Sequence, residues 1–94
     1  MKKTARLDHD QAEAIALRAL AFLAEDPARL GRFLSLTGME PQELRSGAGR
    51  GETLAAVLDY VLGDESLLLE FTANHAIEPT QIAPAQALLA RGSG

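Results

Sequence analysis

The sequence has no cysteine, no tryptophan and few aromatic side chains, only three Phe and one Tyr. A chain without cysteine forms no disulfide, holds no cysteine-ligated zinc ion and has no thiolate nucleophile. With so few aromatic rings, a folded core has to consist of Leu, Ile, Val and Ala, and these residues suit close packing between helices.

Long apolar runs are also missing. Met1-Lys2-Lys3 resembles the start of a signal peptide, but Glu13 and Arg18 divide the apolar stretch that follows into short pieces. A signal peptide needs an apolar run of about 7–15 residues, and a membrane-spanning helix needs about 20. We therefore expect a cytoplasmic location and no membrane contact.

Basic residues are scarce in the second half of the chain. Residues 1–50 carry eight Lys or Arg and seven Asp or Glu, whereas residues 51–94 carry one basic and six acidic residues. Sequence-independent binding to nucleic acid depends on Lys and Arg, so the acidic half argues against it.

The apolar fraction is high, about 54% when glycine is counted and tyrosine is left out, against ~45–50% in typical domains.

Helix start and stop signals recur along the whole chain. Acidic residues that can cap an N-terminus often precede a proline, and glycine follows several apolar-periodic stretches. The first predicted helix begins at Asp8 or Asp10. Four more run from Asp26-Pro27 to Gly38, from Glu40-Pro41 to about Arg45, from about Glu52 to Leu62 and from Asp64 to about Asn74. The last begins at Glu78-Pro79, and Pro84 should split or kink it. No stretch alternates with a period of two. The sequence therefore predicts an all-α fold, a compact bundle of five to six short helices in a single domain over residues 1–94.

An internal repeat accompanies these signals. At an offset of 38 residues and without a gap, Asp26 aligns with Asp64 and Phe33 aligns with Phe71. The matches fall on caps and on core-type positions, which indicates two pseudo-repeated three-helix units, residues 11–46 and 51–90; convergence of two similar helix hairpins is the alternative. One unit cannot bury its own apolar face, so the two should pack together. Residues 1–7 and 91–94 are expected to be frayed.

The apolar positions indicate which side chains form the core. The first helix is apolar almost all round, which is typical of a central, largely buried helix. Eight side chains should be largely buried: Leu20, Leu23, Leu30, Phe33, Leu58, Val61, Leu68 and Phe71.

The segment Arg29–Ser46 has the pattern of a helix-turn-helix, with a first helix that ends at Gly38 and a second that begins at Pro41. In a DNA-binding version, polar residues at the start of the second helix enter the major groove. Gln42, Glu43 and Arg45 would then face the bases, with other arginines near the phosphates. The predicted interaction residues are the four arginines of this region, Arg29, Arg32, Arg45 and Arg50. The same pattern builds any tight corner between helices, and the glycines that follow shorten the second helix.

Two other segments resemble sites only weakly. The loop Gly47–Gly51 could hold a phosphate, but it lacks the Gly-Lys-Ser/Thr ending, so a linker is favoured. Asp8, His9, Asp10 and Glu13 could bind a metal ion, but a single His with carboxylates is a poor zinc site, and acids in a first turn interact favourably with the helix dipole. His75 is explained by its place near a helix C-terminus. We predict no catalytic residue, no cofactor-binding residue and no metal ligand, and the chain is not expected to be an enzyme.

The stretches ALRALAFLAEDPARLGRFLSLTG (Ala16–Gly38) and VLDYVLGDESLL (Val57–Leu68) resemble a family of short bacterial proteins known only as a domain of unknown function. The resemblance covers about Ala14 to Leu89 and rests on the Glu-Asp-Pro cap, the Gly-x-x-Pro restart and the Gly-Asp cap. It implies a small helical bacterial protein and assigns no site.

The function predicted from the sequence is a non-enzymatic protein-interaction or regulatory module; the alternative is a helix-turn-helix-like nucleic-acid binder that uses Arg29–Arg50. The expected partner is another protein or a second copy in a weak homodimer. A dimer held by opposite charges would weaken with salt. A dimer indifferent to salt would instead use exposed leucines such as Leu34, Leu36 or Leu67.

Overall fold

The computed structural model describes residues 7–47 and 50–92. Its helices are α1 (His9–Ala24), α2 (Pro27–Thr37), α3 (Pro41–Ser46), α4 (Gly51–Leu62), α5 (Glu65–Asn74) and α6 (Ile82–Gly92), with a 3-10 turn at Pro79–Gln81. No strand occurs in these residues, and the predicted all-α bundle is confirmed. In the same part of the chain, no helix combines the length and the apolar character that crossing a bilayer requires.

The helix caps lie where the sequence places them. The Asp8 carboxylate accepts a hydrogen bond from the Gln11 backbone N–H at 2.8 Å, and the Gln11 side chain accepts one from the Asp8 N–H at 2.9 Å. Asp26 and Asp64 cap α2 and α5 through a single hydrogen bond each, accepted from the backbone N–H of Ala28 and of Leu67. Each cap satisfies a backbone donor that the first helical turn leaves without a partner.

The last helical segment is divided into a 3-10 turn and α6, but the division precedes Pro84, so the prediction that this proline removes a hydrogen bond inside a helix is wrong. The 3-10 turn ends at Gln81, and Pro84 lies in the first turn of α6, where a missing N–H breaks no hydrogen bond of the helix. Of the residues expected to be frayed, the structure describes Leu7, which packs against the core, and Arg91 and Gly92, which belong to α6. Residues 1–6 and 93–94 lie outside the described residues.

The core lies where α1, α4 and α6 contact one another. α2 packs against α1, and α5 packs against α4, so the first two helices of each predicted unit are neighbours. The buried side chains of α1, α4 and α6 include Ala12, Ala16, Ala19, Leu54, Leu58, Ile82, Ala85 and Leu89. The predominance of Ala and Leu agrees with the shortage of aromatic residues.

Five of the eight predicted core residues are fully enclosed, namely Leu23, Phe33, Leu58, Val61 and Phe71. Leu20, Leu30 and Leu68 are half-buried and pack against the edge of the core. The prediction that α1 is largely buried is wrong for one side of that helix, where four apolar residues are exposed: Ala14, Leu17, Ala21 and Ala24.

The aromatic side chains pair across the two halves of the chain. Phe22 of α1 contacts Phe71 of α5 with ring centroids 5.5 Å apart, and Phe33 of α2 contacts Tyr60 of α4 at 5.1 Å. Adding 38 to Phe22 gives Tyr60, and subtracting 38 from Phe71 gives Phe33, so the offset converts one pair into the other. This exchange is what an internal two-fold relation between the halves would produce.

Backbone geometry repeats at the same offset. The N–H of Glu25 donates to the carbonyl oxygens of Ala21 and Phe22, and the N–H of Gly63 donates to those of Asp59 and Tyr60. Gly38, directly after α2, and Ala76, two residues after the end of α5, both have positive φ angles, 74° and 54°.

A groove of about 250 Å³ between the first turns of α2 and α5 shows the relation again, because eight of its lining residues form four pairs at this offset. The pairs are Asp26 with Asp64, Ala28 with Ser66, Arg29 with Leu67 and Arg32 with Glu70. The third elements differ, since α3 has 6 residues and α6 has 11. Duplication of an ancestral unit stays a prediction.

Removal of either buried phenylalanine should be costly. We expect Phe33→Ala and Phe71→Ala each to lower the free energy of unfolding by ~3–5 kcal/mol, because each leaves a large cavity and an aromatic ring without its partner. Urea unfolding followed by circular dichroism measures this. Leu69→Ala, at a leucine with 49% exposure, is the control and should have little effect. A loss below about 1 kcal/mol at both phenylalanines would contradict the packing described here.

The turn after α5 should be strained at Ala76. A left-handed conformation is unfavourable for residues with a Cβ, so Ala76→Gly should raise the free energy of unfolding by about 1 kcal/mol. Ala73→Gly, in the exposed part of α5, is the matched control and should lower it by about 0.5–1 kcal/mol. Thermal unfolding of the two variants should therefore shift the Tm in opposite directions, and equal shifts would refute the assignment of strain.

Candidate interaction surface

Arg29 is held within the fold. Its guanidinium lies 4.2 Å from the centre of the Phe22 ring and donates to the Phe22 carbonyl oxygen at 3.2 Å. A second nitrogen pairs with the Glu70 carboxylate at 3.1 Å, which is the only ion pair among the described residues. Arg29 therefore joins α1, α2 and α5, and little of it remains for an outside partner.

The other three predicted interaction residues, Arg32, Arg45 and Arg50, are exposed. Arg32 shares the groove between α2 and α5 with Arg29, Arg45 lines a separate groove beside α3, and Arg50 immediately precedes α4. The structure thus brings Arg29 and Arg32 together and places Arg45 at another groove.

The predicted recognition helix of a helix-turn-helix, α3, has fewer than two turns, with 6 residues from Pro41 to Ser46. Its Glu43 carboxylate accepts a hydrogen bond from the Glu40 N–H at 2.8 Å, so one of its polar side chains completes a cap. Leu44 faces the core. α3 therefore offers few side chains that could contact DNA bases, because it is short and Glu43 and Leu44 already have roles within the fold.

The weak candidates of the sequence have structural roles. Asp8 caps α1, and the described residues contain no group of three His, Cys, Asp or Glu that could hold a metal ion. A side chain at Gly47 would collide with Thr53, which explains a glycine there; Ala48 and Gly49 lie outside the described residues. The His75 ring contacts Phe71 at 5.1 Å and Phe22 at 6.2 Å and completes the aromatic cluster.

The surface that stands out is the outer face of α1, defined as Ala14, Leu17, Ala21 and Ala24. All four residues are exposed, and they follow one another at intervals of three and four, so they lie on one side of the helix, opposite the core. Leu17 has 44% of its surface exposed. A helix at the surface normally turns polar residues to the solvent, and this one turns alanine and leucine outward.

The second half of the chain offers an internal comparison. The positions of α4 equivalent to Ala14 and Ala21 are occupied by Glu52 and Asp59, both exposed. α4 therefore has carboxylates at two positions where α1 has alanine, and the charged residues on the exposed side of α1, Asp10, Arg18 and Glu25, occupy other positions. The apolar outer face is a property of α1 and not of the repeated architecture.

The outer face of α1 adjoins an apolar groove of about 290 Å³, called here the leucine groove. Its lining residues come from α1, α2 and α3: Leu20, Ala24, Leu30, Leu34, Pro41, Leu44 and Arg45. Ala24 belongs to both surfaces, so the outer face and the groove are continuous. Arg45 is the only charged residue of this lining.

A larger groove of about 590 Å³ lies between α2, α4 and the start of α5, and polar and apolar residues both line it. Arg32 shares it with three carboxylates, and Leu36 at its rim is 71% exposed. Of the three leucines predicted for a salt-indifferent interface, Leu36 is exposed, Leu34 is half-buried, and Leu67 is buried, so the prediction is wrong for Leu67. This groove offers a partner less continuous apolar surface than the outer face of α1 does.

The sequence predicts that α1 as a whole is largely buried and does not single out the four residues of its outer face. The signal was present, since α1 is apolar almost all round, but the pattern does not show which side other helices will cover. The role of Arg29 left no signal, because its partners lie 7 and 41 residues away in sequence.

Comparison with protein families identifies the family of the chain. The family model described as "Protein of unknown function (DUF3572)" matches residues 9–92. Comparison with curated proteins and with solved structures found no match.

Loss of Arg29 should destabilise the fold through its contacts with Phe22. We expect Arg29→Ala to lower the free energy of unfolding by about 1–2 kcal/mol, since a part-buried guanidinium over a ring and a hydrogen bond to a carbonyl are both lost. Glu70→Gln removes only a solvent-exposed ion pair and should cost less than about 1 kcal/mol. Arg32→Ala is the matched control with an expected change within about 0.5 kcal/mol. Equal urea-unfolding midpoints for Arg29→Ala and Arg32→Ala would show that Arg29 has no structural role.

Proposed function

The chain belongs to the family described as Protein of unknown function (DUF3572), and on that premise we propose that it is a non-enzymatic protein-interaction module. Its partner binds on the outer face of α1 and places an apolar side chain in the leucine groove. The observation that carries this proposal is the exposure of Ala14, Leu17, Ala21 and Ala24 on the side of α1 that no other helix covers.

The outer face of α1 and the leucine groove together can offset the free-energy cost of association better than either surface alone. Full burial of one leucine contributes about 1.5–3 kcal/mol, whereas association costs at least about 4 kcal/mol in lost freedom of motion. Leu17 alone therefore cannot hold a partner. The leucine groove adds a concave site that can enclose an anchor residue, and such anchors carry most of the binding energy in interfaces. In helix-in-groove recognition, the apolar side chains of one helix enter an apolar groove of the partner in the same way.

The proposal favours protein over nucleic acid as the partner. Arg29 contacts Phe22 and pairs with Glu70, and α3 has only 6 residues. Both features weaken the helix-turn-helix alternative, which needs free arginines and a recognition helix. The absence of an enzymatic role, a bacterial origin and a cytoplasmic location remain part of the proposal and rest on the composition and the resemblance discussed above.

Site-specific crosslinking tests the proposed surface. A photo-crosslinkable amino acid at Leu17 should give a covalent product in cells that express the chain. The same amino acid at Leu69 is the matched control, since the two leucines have similar exposures of 44% and 49% but lie on different helices. We expect a clear product at position 17 and little at position 69, because only the first lies on the proposed surface.

A second change separates specific docking from random contact. Ala21→Glu places a charge on the outer face without disturbing the core and should abolish the product at position 17. Equal products at both leucines, or a product at position 17 that survives Ala21→Glu, would reject the proposed function. Retention of the chain on heparin at low salt, abolished by Arg45→Ala, would instead favour a nucleic-acid partner.

A further inference from the structure

We propose that the partner on the outer face of α1 is a second copy of this chain, bound antiparallel about a two-fold axis close to Ala21. This inference rests on the proposed function and names the occupant of the same surface. It follows from how apolar and charged residues are arranged around the exposed side of α1.

The exposed side of α1 has three bands. Successive residues of an α-helix are rotated by about 100°, so Ala21 lies near the middle of the exposed side. Leu17 and Ala24 lie together on one flank, next to the leucine groove, while Arg18 and Glu25 lie together on the other. The second flank thus carries one charge of each sign, and the first is apolar from Leu17 to Ala24, with the exposed carboxylate of Asp10 two turns before Leu17.

This arrangement is self-complementary. When two antiparallel helices are related by a two-fold axis perpendicular to them, each flank meets the same flank of the other helix. With the axis near Ala21, residue 17 of one copy lies level with residues 24 and 25 of the other. Leu17 then contacts Ala24 of the second copy, at the mouth of its leucine groove. Because the relation is mutual, each copy inserts one leucine and receives one.

The charged flank fits the same register. Arg18 of one copy lies level with Glu25 of the other, and the two-fold axis forms this pair twice. Both side chains are exposed, and neither has an ion-pair partner among the described residues. Within one copy they are two turns apart, about 10 Å along the axis, too far to pair with each other. The dimer supplies partners that the single chain does not.

The small residues at the centre permit close contact. Ala21 meets Ala21 of the second copy, and an interface of this kind is isologous, so the assembly closes at two copies. A parallel pairing would also bring Arg18 near a carboxylate, that of Glu13. It would place Leu17 against Leu17 and away from the leucine groove, and Glu25 would lie opposite Leu20. Only the antiparallel arrangement uses the groove and both charges.

A charge-swap experiment tests the register. Arg18→Glu alone sets two carboxylates against each other at both sites, and Glu25→Arg alone sets two guanidiniums against each other. Each variant should dimerise about tenfold more weakly than the unchanged chain in sedimentation equilibrium at ~20 mM salt. An equimolar mixture should form a heterodimer in which both pairs are restored, and its affinity should return to that of the unchanged chain.

Cysteine crosslinking provides a measurement that does not depend on charge. The chain has no cysteine of its own, so a single Ala21→Cys places one thiol near the axis. Mild oxidation should convert Ala21→Cys to a covalent dimer far faster than Ala73→Cys, which is the matched control at an exposed alanine of α5. Circular dichroism of every variant shows whether the fold is retained.

The outcomes separate this inference from the function on which it rests. A chain that stays monomeric at ~1 mM overturns the second-copy proposal. If the crosslink at Leu17 then joins a different protein and still requires Ala21, the interaction module stands with a foreign partner. Rescue of Arg18→Glu by Glu13→Arg instead of Glu25→Arg would establish a parallel dimer and overturn the antiparallel register.

Discussion

The inner side of α1 sets the distance at which the other central helices can pack. Ala12, Ala16 and Ala19 are completely buried there, and α4 and α6 both contact this helix. Alanine lets helix axes approach to the lower end of the usual 8–10 Å. Helices as short as these are marginal in isolation, so each depends on its packing against the neighbours. The close approach to α1 is therefore the condition for the remaining contacts, including those of the aromatic side chains.

Much of the fold could be predicted because its boundaries are local. Asp26, Pro27 and Gly38 fix the start and the end of α2 through backbone groups only a few residues away. The same holds for Asp64 at the start of α5. Which face of a helix is covered is a different kind of property, because it depends on residues that are distant in sequence.

The leucines of α5 show where prediction from the sequence ends. Leu67, Leu68 and Leu69 are consecutive, and the structure buries the first, half-buries the second and exposes the third. The hydrophobic pattern shows that the helix has an apolar side, but three leucines in a row do not fix its rotation. The candidate surface was missed for the same reason, since Leu17 and Leu20 look alike in sequence although only Leu20 lies against the core.

The crossed aromatic pairs have a consequence for how the chain is made. Phe22 and Phe33 belong to the first half, and their ring partners, Phe71 and Tyr60, belong to the second. During synthesis the first half leaves the ribosome with both rings lacking their aromatic partners, although Arg29 can already contact the Phe22 ring. The native core therefore cannot close before α5 and α6 have emerged, because α6 also contacts α1 and α4, so the two halves of the described chain depend on each other in spite of their repeated pattern. A chain of this design has to keep its first half from aggregating for the time that translation of the second half requires.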